Sequence, residues 1–220
     1  MKIGIVCAMS KELMPLLLNL CNFNQENVYG YSVYRSKGKS EIIIVQSGIG
    51  EIYAGGATTL LITEGVDVVY NFGVCGSLKP DFVSCDVVAV KSVIHYDFDL
   101  SEIDGLPKGQ YPSENQPEIY CDKDLFEKNV NKFGLKTGIL ASADKFVASS
   151  GVKKTLVKEF NADICDMEGA GVLLVCKNAK VPCFILKAVS DGQGGVEEYY
   201  STVEKACKVC AKIIGDILEY

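Results

Sequence analysis

An α/β domain around a mixed sheet is the fold class this sequence predicts, and three observations carry it. Short runs rich in Val and Ile alternate with longer stretches of helical pattern. Two early runs, Tyr29–Arg35 and Glu41–Gln46, flank Ser36-Lys37-Gly38-Lys39 as the arms of an antiparallel hairpin would. The chain has 220 residues, 48% of them hydrophobic, enough for one substantial core, so residues 1–220 are read as a single domain.

In chain order, Lys2–Ala8 is a first apolar strand, followed by a helix over Lys11–Leu20 whose Leu13, Leu16, Leu17 and Leu20 form one stripe. The hairpin comes next, then a helix over Ile52–Glu64 and strands over Val66–Phe72 and Asp86–Ile94. Asp97–Glu118, with three prolines and several Gly, Ser and Asn residues, is the longest irregular stretch, a candidate lid or partner-contacting loop. Beyond it lie a helix (Lys123–Phe133), a strand (Leu135–Ala141), a helix (Val152–Phe160), the short run Ala162–Cys165, a helix (Met167–Lys177), the very apolar strand Val181–Val189, and a long helix over Glu197–Leu218.

Composition narrows the function. With 22 basic against 28 acidic residues and a net charge of −6, there is no cationic footprint for nucleic acid or an anionic membrane. No apolar run approaches the roughly 18 to 20 residues that span a bilayer. The start is not a signal peptide, since Lys11 and Glu12 interrupt it without a cleavage site, so a soluble cytoplasmic protein is expected. Arg35 is the one arginine, so any function needing a guanidinium fork must use it. The ten cysteines (Cys7, Cys21, Cys75, Cys85, Cys121, Cys165, Cys176, Cys183, Cys207 and Cys210) mostly lie in apolar runs and read as reduced core residues. Cys207 and Cys210 form a lone C-x-x-C far from His95, the single histidine, so no metal and no cofactor is expected.

Ligands of open α/β sheets collect at the carboxyl ends of strands. Glu12, after strand one, shares the face of the leucine stripe; it either points inward or complements the helix dipole with its head in water. Asn71-Phe72-Gly73-Val74-Cys75-Gly76 ends a strand in two glycines three apart, which lets a ligand approach main chain. Ser47-Gly48-Ile49-Gly50 ends another strand, as an ordinary turn also would. Glu168 in Asp166-Met167-Glu168-Gly169-Ala170 has Val172 and Val175 at helical spacing, which puts a carboxylate on an apolar helix face. Ser190-Asp191, before Gly192-Gln193-Gly194-Gly195, places an acid where its pKa would rise, unless it is a plain turn aspartate. Three acids with little cationic compensation suggest acid/base chemistry on a neutral substrate. There is no G-x-G-x-x-G after strand one and no nucleophile-elbow serine.

Lys2 to Glu12, Ser47 to Gly50, Asn71 to Gly76, Gly109-Gln110-Tyr111-Pro112, Ser142-Ala143-Asp144-Lys145-Phe146-Val147, Asp166 to Glu168 and Ser190-Asp191 occur in order through nearly the whole chain. This ordered set resembles the 5'-methylthioadenosine/S-adenosylhomocysteine nucleosidase family of the nucleoside phosphorylase/hydrolase superfamily. The resemblance implies a three-layer α/β/α sandwich, usually a homodimer, that hydrolyses the N-glycosidic bond of an adenine nucleoside. It further implies that Glu12 activates water, Asp191 bonds or protonates purine N7, Glu168 holds the ribose hydroxyls and Met167 packs on the sugar. Phe146 would stack on the base, the Val147 main chain would read its edge, and Ser190, Cys75 and Gly76 would belong to the substrate-binding segments. Pro112 would reach toward the neighbouring subunit's 5'-substituent pocket. Anionic groups near the sugar and a proton donor at the base suit a bond whose rupture leaves positive charge on ribose and negative charge on purine.

Two positions depart from the family pattern: Val74 stands where a serine is common and Lys187 where an arginine is common. The nearest rival is a nucleoside phosphorylase, which would favour arginine at the phosphate and has one where this chain has Asn71; Glu12 would repel phosphate. A second rival is a nucleoside-binding module that has lost turnover.

Overall fold

The computed structural model describes residues 1–20, 23–192 and 194–218; Cys21 and Gln193, named above, lie outside them. Strand β1 (Lys2–Cys7) and helix α1 (Ser10–Asn19) are followed by β2 (Asn24–Val28), β3 (Tyr31–Lys37), β4 (Glu41–Gln46) and α2 (Glu51–Thr63). The middle of the chain forms β5 (Val68–Ser77), β6 (Val87–His95), the short α3 (Ser101–Asp104), β7 (Ile119–Tyr120) and α4 (Lys123–Phe133). The remainder forms β8 (Lys136–Ser142), α5 (Ser150–Phe160), β9 (Ile164–Asp166), α6 (Gly169–Ala179), β10 (Cys183–Asp191) and α7 (Gly195–Leu218).

The sheet is mixed, as expected. Its order is β10-β6-β8-β9-β5-β1-β4-β3-β2, with β7 paired to β6. Strands β1, β4, β5 and β10 pair in parallel, while β2, β3 and β4 form an antiparallel meander. Because β10 also pairs with β5, and β9 pairs antiparallel with the far end of β5, the strands β5, β10, β6, β8 and β9 close into a ring. Closure removes two sheet edges and gathers the ends of β5, β9 and β10 around one opening.

Helices cover both faces. On one side Ala54, Ala57 and Leu61 of α2 and Ala170, Leu173 and Cys176 of α6 pack on Val6, Val45, Val69 and Ile185. On the other, Leu13 and Leu16 of α1 and the long apolar stripe of α7, including Cys207 and Cys210, pack on Ile5, Ile44, Phe72, Phe184 and Leu186. This is the three-layer α/β/α arrangement.

Four local expectations need correction, and the first three corrections bear on the site. Strand β5 does not stop at Phe72 but runs through both glycines to Ser77, buried along its length. Ser190 and Asp191 do not follow β10 but end it, with a register shift against β5 between Val189 and Asp191. Helix α6 starts at Gly169, so Glu168 is its N-cap and not a member of its apolar face. The Asp97–Glu118 segment contains α3, and its Phe98 and Tyr111 stack on each other and on His95 at the end of β6. Strand β2, Asn-Gln-Glu-Asn-Val, carries no apolar alternation because it is an exposed edge strand, held by its ladder to β3.

Candidate active site

A cavity of about 400 Å³ opens where β1, β4, β5, β9 and β10 end, and Glu12, Glu168 and Asp191 all line it. Its remaining wall includes Met9, Ile49, Val74, Cys75, Gly76, Phe146, Asp166, Met167, Ser190 and three residues of α7, Val196, Tyr199 and Tyr200. The floor is polar and the mouth apolar.

Glu12 stands at the third position of α1, where helix N-termini offer unpaired N–H groups. Oε2 accepts from the amides of Ala8 (3.1 Å) and Met9 (2.9 Å), while Oε1 accepts from the amide of Val74 in β5 (2.9 Å). The side chain is buried, so the alternative of a head turned to water is excluded. Gly73 makes this contact possible, because a Cβ there would lie 2.5 Å from Glu12 Oε1. The glycines of β5 thus admit a carboxylate of the same chain. Burial raises the Glu12 pKa, against the pull of Lys187 and the three amides.

Lys187 lies fully buried in β10 and pairs with Asp166 at the end of β9, Nζ to Oδ2 2.7 Å. Burial works against its charge, but Asp166, Glu168 and Glu12 outweigh that and hold the ammonium well above the ordinary lysine range. Glu168 accepts from the amide of Gly50, 3.2 Å, so the Ser47–Gly50 segment serves the site and is more than a turn. Burial, opposed by Lys187 and reinforced by Asp166 and Glu12, pushes the Glu168 carboxyl up to about 8.

Asp191 is reached through the bulge in β10. A regular strand would send Ser190 and Asp191 to opposite faces; the extra residue lets both line the cavity. Ser190 Oγ lies 3.0 Å from Asp191 Oδ1, and Lys153 Nζ, buried on α5, lies 3.5 Å from Oδ2 and donates to Gly192 O at 2.5 Å. Burial raises the Asp191 pKa while Lys153 opposes it. A carboxyl inclined to hold a proton, opposite a buried carboxylate within one cavity, is equipped for paired acid and base work.

Of the other anticipated residues, Phe146, Met167, Cys75 and Gly76 line the main cavity, and Val147 lines a smaller recess that shares Phe146 and Asp191 with it. Pro112 is exposed and, like the rest of 97–118, lies off the cavity wall, so that segment is no lid over this chain's own site. Arg35 is engaged by Glu26 (2.5 Å) and Glu64 (2.8 Å) beside the β2–β3 edge. The expectation of little cationic compensation is also corrected, since Lys187 and Lys153 are both buried beside the acids. Lys153 could not be singled out in the run Lys153-Lys154, because only the docking of α5 buries the first of the two. Glu51, buried at the start of α2, carries no signal in the sequence, because its neighbours Ile52 and Tyr53 are exposed and offer no inward stripe.

Comparison with known proteins identifies relatives of this chain. A family model described as "Phosphorylase superfamily" matches residues 2–219. An aminodeoxyfutalosine nucleosidase of Campylobacter jejuni is 34% identical over 210 residues, covering 90% of this chain and 89% of that protein. A 5'-methylthioadenosine/S-adenosylhomocysteine nucleosidase of Buchnera aphidicola is 32% identical over 198 residues, covering 87% and 85%. Among solved structures, the 5'-methylthioadenosine/S-adenosylhomocysteine nucleosidase of Helicobacter pylori with butyl-thio-DADMe-Immucillin-A superposes with a TM-score of 0.92 at 33% identity, covering 99% of this chain and 97% of that one. With the ordered motifs, the three-layer fold and the matching relatives in agreement, the chain belongs to the methylthioadenosine/S-adenosylhomocysteine nucleosidase family of the phosphorylase superfamily.

Proposed function

We propose that this N-ribosyl hydrolase cleaves 5'-substituted adenine nucleosides, 5'-methylthioadenosine and S-adenosylhomocysteine among them, releasing adenine. The observation that carries the reading is the convergence of Glu12, Glu168 and Asp191 on one cavity with an apolar mouth. In it Glu12, pinned by three amides, takes a proton from water as that water attacks C1'. Asp191 delivers a proton to N7 of the departing purine, with Ser190 beside it fixing its orientation. Glu168 receives the ribose hydroxyls. Met167 packs on the sugar, Phe146 stacks on the base, and the recess at Val147 takes the base edge. Positioned acid/base catalysis of this kind contributes on the order of 100- to 10,000-fold.

Water is favoured over phosphate by charge. The single arginine is committed elsewhere, and the two buried lysines already face carboxylates. A phosphate beside Glu12, which must be ionised to take a proton from water, would meet like charge. Val74 lacks the hydroxyl of a serine but still supplies the amide that fixes Glu12. Met9, Ile49, Val196, Tyr199 and Tyr200 give the mouth a surface suited to an apolar 5'-substituent. We further propose that the chain acts as one domain and as a homodimer, with Pro112 reaching the partner's mouth.

The experiment is free-adenine release from 5'-methylthioadenosine, S-adenosylhomocysteine and, given relatives named aminodeoxyfutalosine nucleosidases, aminodeoxyfutalosine, each with and without inorganic phosphate. Release without phosphate is expected, together with a Glu12→Gln variant that binds substrate and hydrolyses it at least about 100-fold more slowly. Strict phosphate dependence would make the protein a phosphorylase. Tight binding with no base released would make it a binding module.

A further inference from the structure

Behind the cavity wall, one serine hydroxyl serves two acids. Ser142 Oγ, at the end of β8, lies within hydrogen-bond distance of Asp166 Oδ1 and 2.5 Å from Glu51 Oε1, and it accepts from the amide of Ala170 at 3.1 Å. All three side chains are buried. A hydroxyl has one proton to give, so it can donate to one of the two carboxyls; the other must itself carry a proton and donate to Oγ. Asp166 is the ionised member. Its Oδ2 pairs with Lys187 at 2.7 Å, and the amide of Gly169 points at both its oxygens, 3.2 and 3.1 Å. Among the described residues no cation stands beside Glu51, whose Oε2 accepts from the Gly171 amide, 2.5 Å. The proton therefore resides on Glu51, in a chain that runs from Glu51 through Ser142 and Asp166 to Lys187.

Glu51 also follows directly on Gly50, whose amide holds Glu168. Its own amide donates to Asp144 Oδ1 at 2.7 Å, and the residue before it has to be glycine, because a Cβ on Gly50 would lie 2.8 Å from the same oxygen. The turn that presents the Gly50 amide is thus clamped at Glu51 by its backbone and by both oxygens of its side chain.

We propose that neutral Glu51 is a positioning residue that fixes the Gly50 amide on Glu168 and thereby sets substrate affinity, and that its ionisation loosens the site. This rests on the ribose-binding assignment of Glu168 above. The groups facing Glu51 are Asp144 after β8, Asp166 on β9, and the phenols of Tyr96 and Tyr111; Lys187 lies beyond Asp166. None supplies a positive charge next to it, and burial together with Asp166 pushes its carboxyl up to about 7. Above that pH two anions share one hydroxyl proton.

The test is KM and kcat against pH for wild type, Glu51→Gln and Glu51→Ala, with 5'-methylthioadenosine as probe. A glutamine reproduces the neutral acid, its amide nitrogen donating to Ser142 and its oxygen accepting from Gly171. Wild-type KM should rise about tenfold from pH 6 to pH 8.5. Glu51→Gln should match wild type at pH 6 and rise less than wild type across the range, keeping only the change that titration of Glu168 contributes, while Glu51→Ala should show the raised KM already at pH 6. A Glu51→Gln profile superimposable on wild type overturns the proposal, as does wild-type KM in Glu51→Ala. A glutamine variant that fails to fold also overturns it, because glutamine preserves every bond the neutral group makes. If wild type instead cleaves no nucleoside in the panel, the fault lies with the functional reading, and adenine-nucleoside binding measured across the same pH range tests Glu51 separately.

Discussion

At the scale of single residues, the site is a balance of buried charge. Among the described residues Lys187 is the cation shared by Glu12, Asp166 and Glu168, and all four are buried. Removing one partner of a buried pair leaves the others uncompensated and costs about 3 to 5 kcal/mol. Lys187→Met should lose stability of that order in urea unfolding, whereas Lys187→Arg, which keeps the charge, should lose much less. A methionine variant as stable as wild type would mean that the acids shed their charge by taking up protons. The Lys187 position could be marked in the sequence as a departure from an arginine pattern. Its ion pair with Asp166 could not, since the two are distant in the chain and only the closure of the sheet brings β9 and β10 to the same opening.

At the scale of elements, strands were legible where they are central and apolar. Strands β1, β4 and β10 are buried from both faces and read as Val- and Ile-rich runs, while α1 and α7 show their inward stripes. Edge strand β2 was invisible because its ladder to β3, and no side-chain pattern, makes it a strand. The glycines of β5 were read as a strand end, for glycine usually weakens a strand; here Gly73 clears the path of Glu12. Gly73→Ala tests this. Glu12 is held at three points and cannot swing away, so the added methyl should displace its carboxylate, and misplacement of about 1 Å costs on the order of 100-fold in rate. The expected result is a fall in kcat of that size with circular dichroism unchanged. Undiminished kcat would show that Glu12 tolerates a shift that no water-activating base should.

At the scale of the whole molecule, stability should carry the signature of the buried acids. Glu51 and Glu168, ordinarily near 4.5, are pushed up to about 7 and about 8 in the folded chain. Both bind protons more tightly folded than unfolded. The stability they contribute is therefore full below about pH 4.5 and is lost as pH rises through 7 and 8, at up to about 1.4 kcal/mol per pH unit for each group. Urea midpoints measured from pH 6 to pH 9 should fall up to about pH 8 and then level off, and Glu51→Gln should flatten the first part of that fall. A midpoint rising over the same range would contradict the burial of both acids in neutral form. Among the described residues no helix is long and apolar enough to cross a membrane.

The sequence by itself determined the α/β alternation, the mixed character of the sheet, the family, and the identity of three acids at strand ends. Each of these is written in local pattern or in ordered motifs. Tertiary structure alone decided that Glu12 is buried and held by β5, that a bulge turns Ser190 and Asp191 into one cavity, and that Lys153 and Lys187 stand behind the acids. It also decided that Glu51 and Asp166 meet at the one hydroxyl of Ser142. Those outcomes depend on which strand ends meet when the sheet closes, and on the low-dielectric interior that closure creates. A side chain's charge state is set by neighbours far away in sequence, and local pattern carries no record of them.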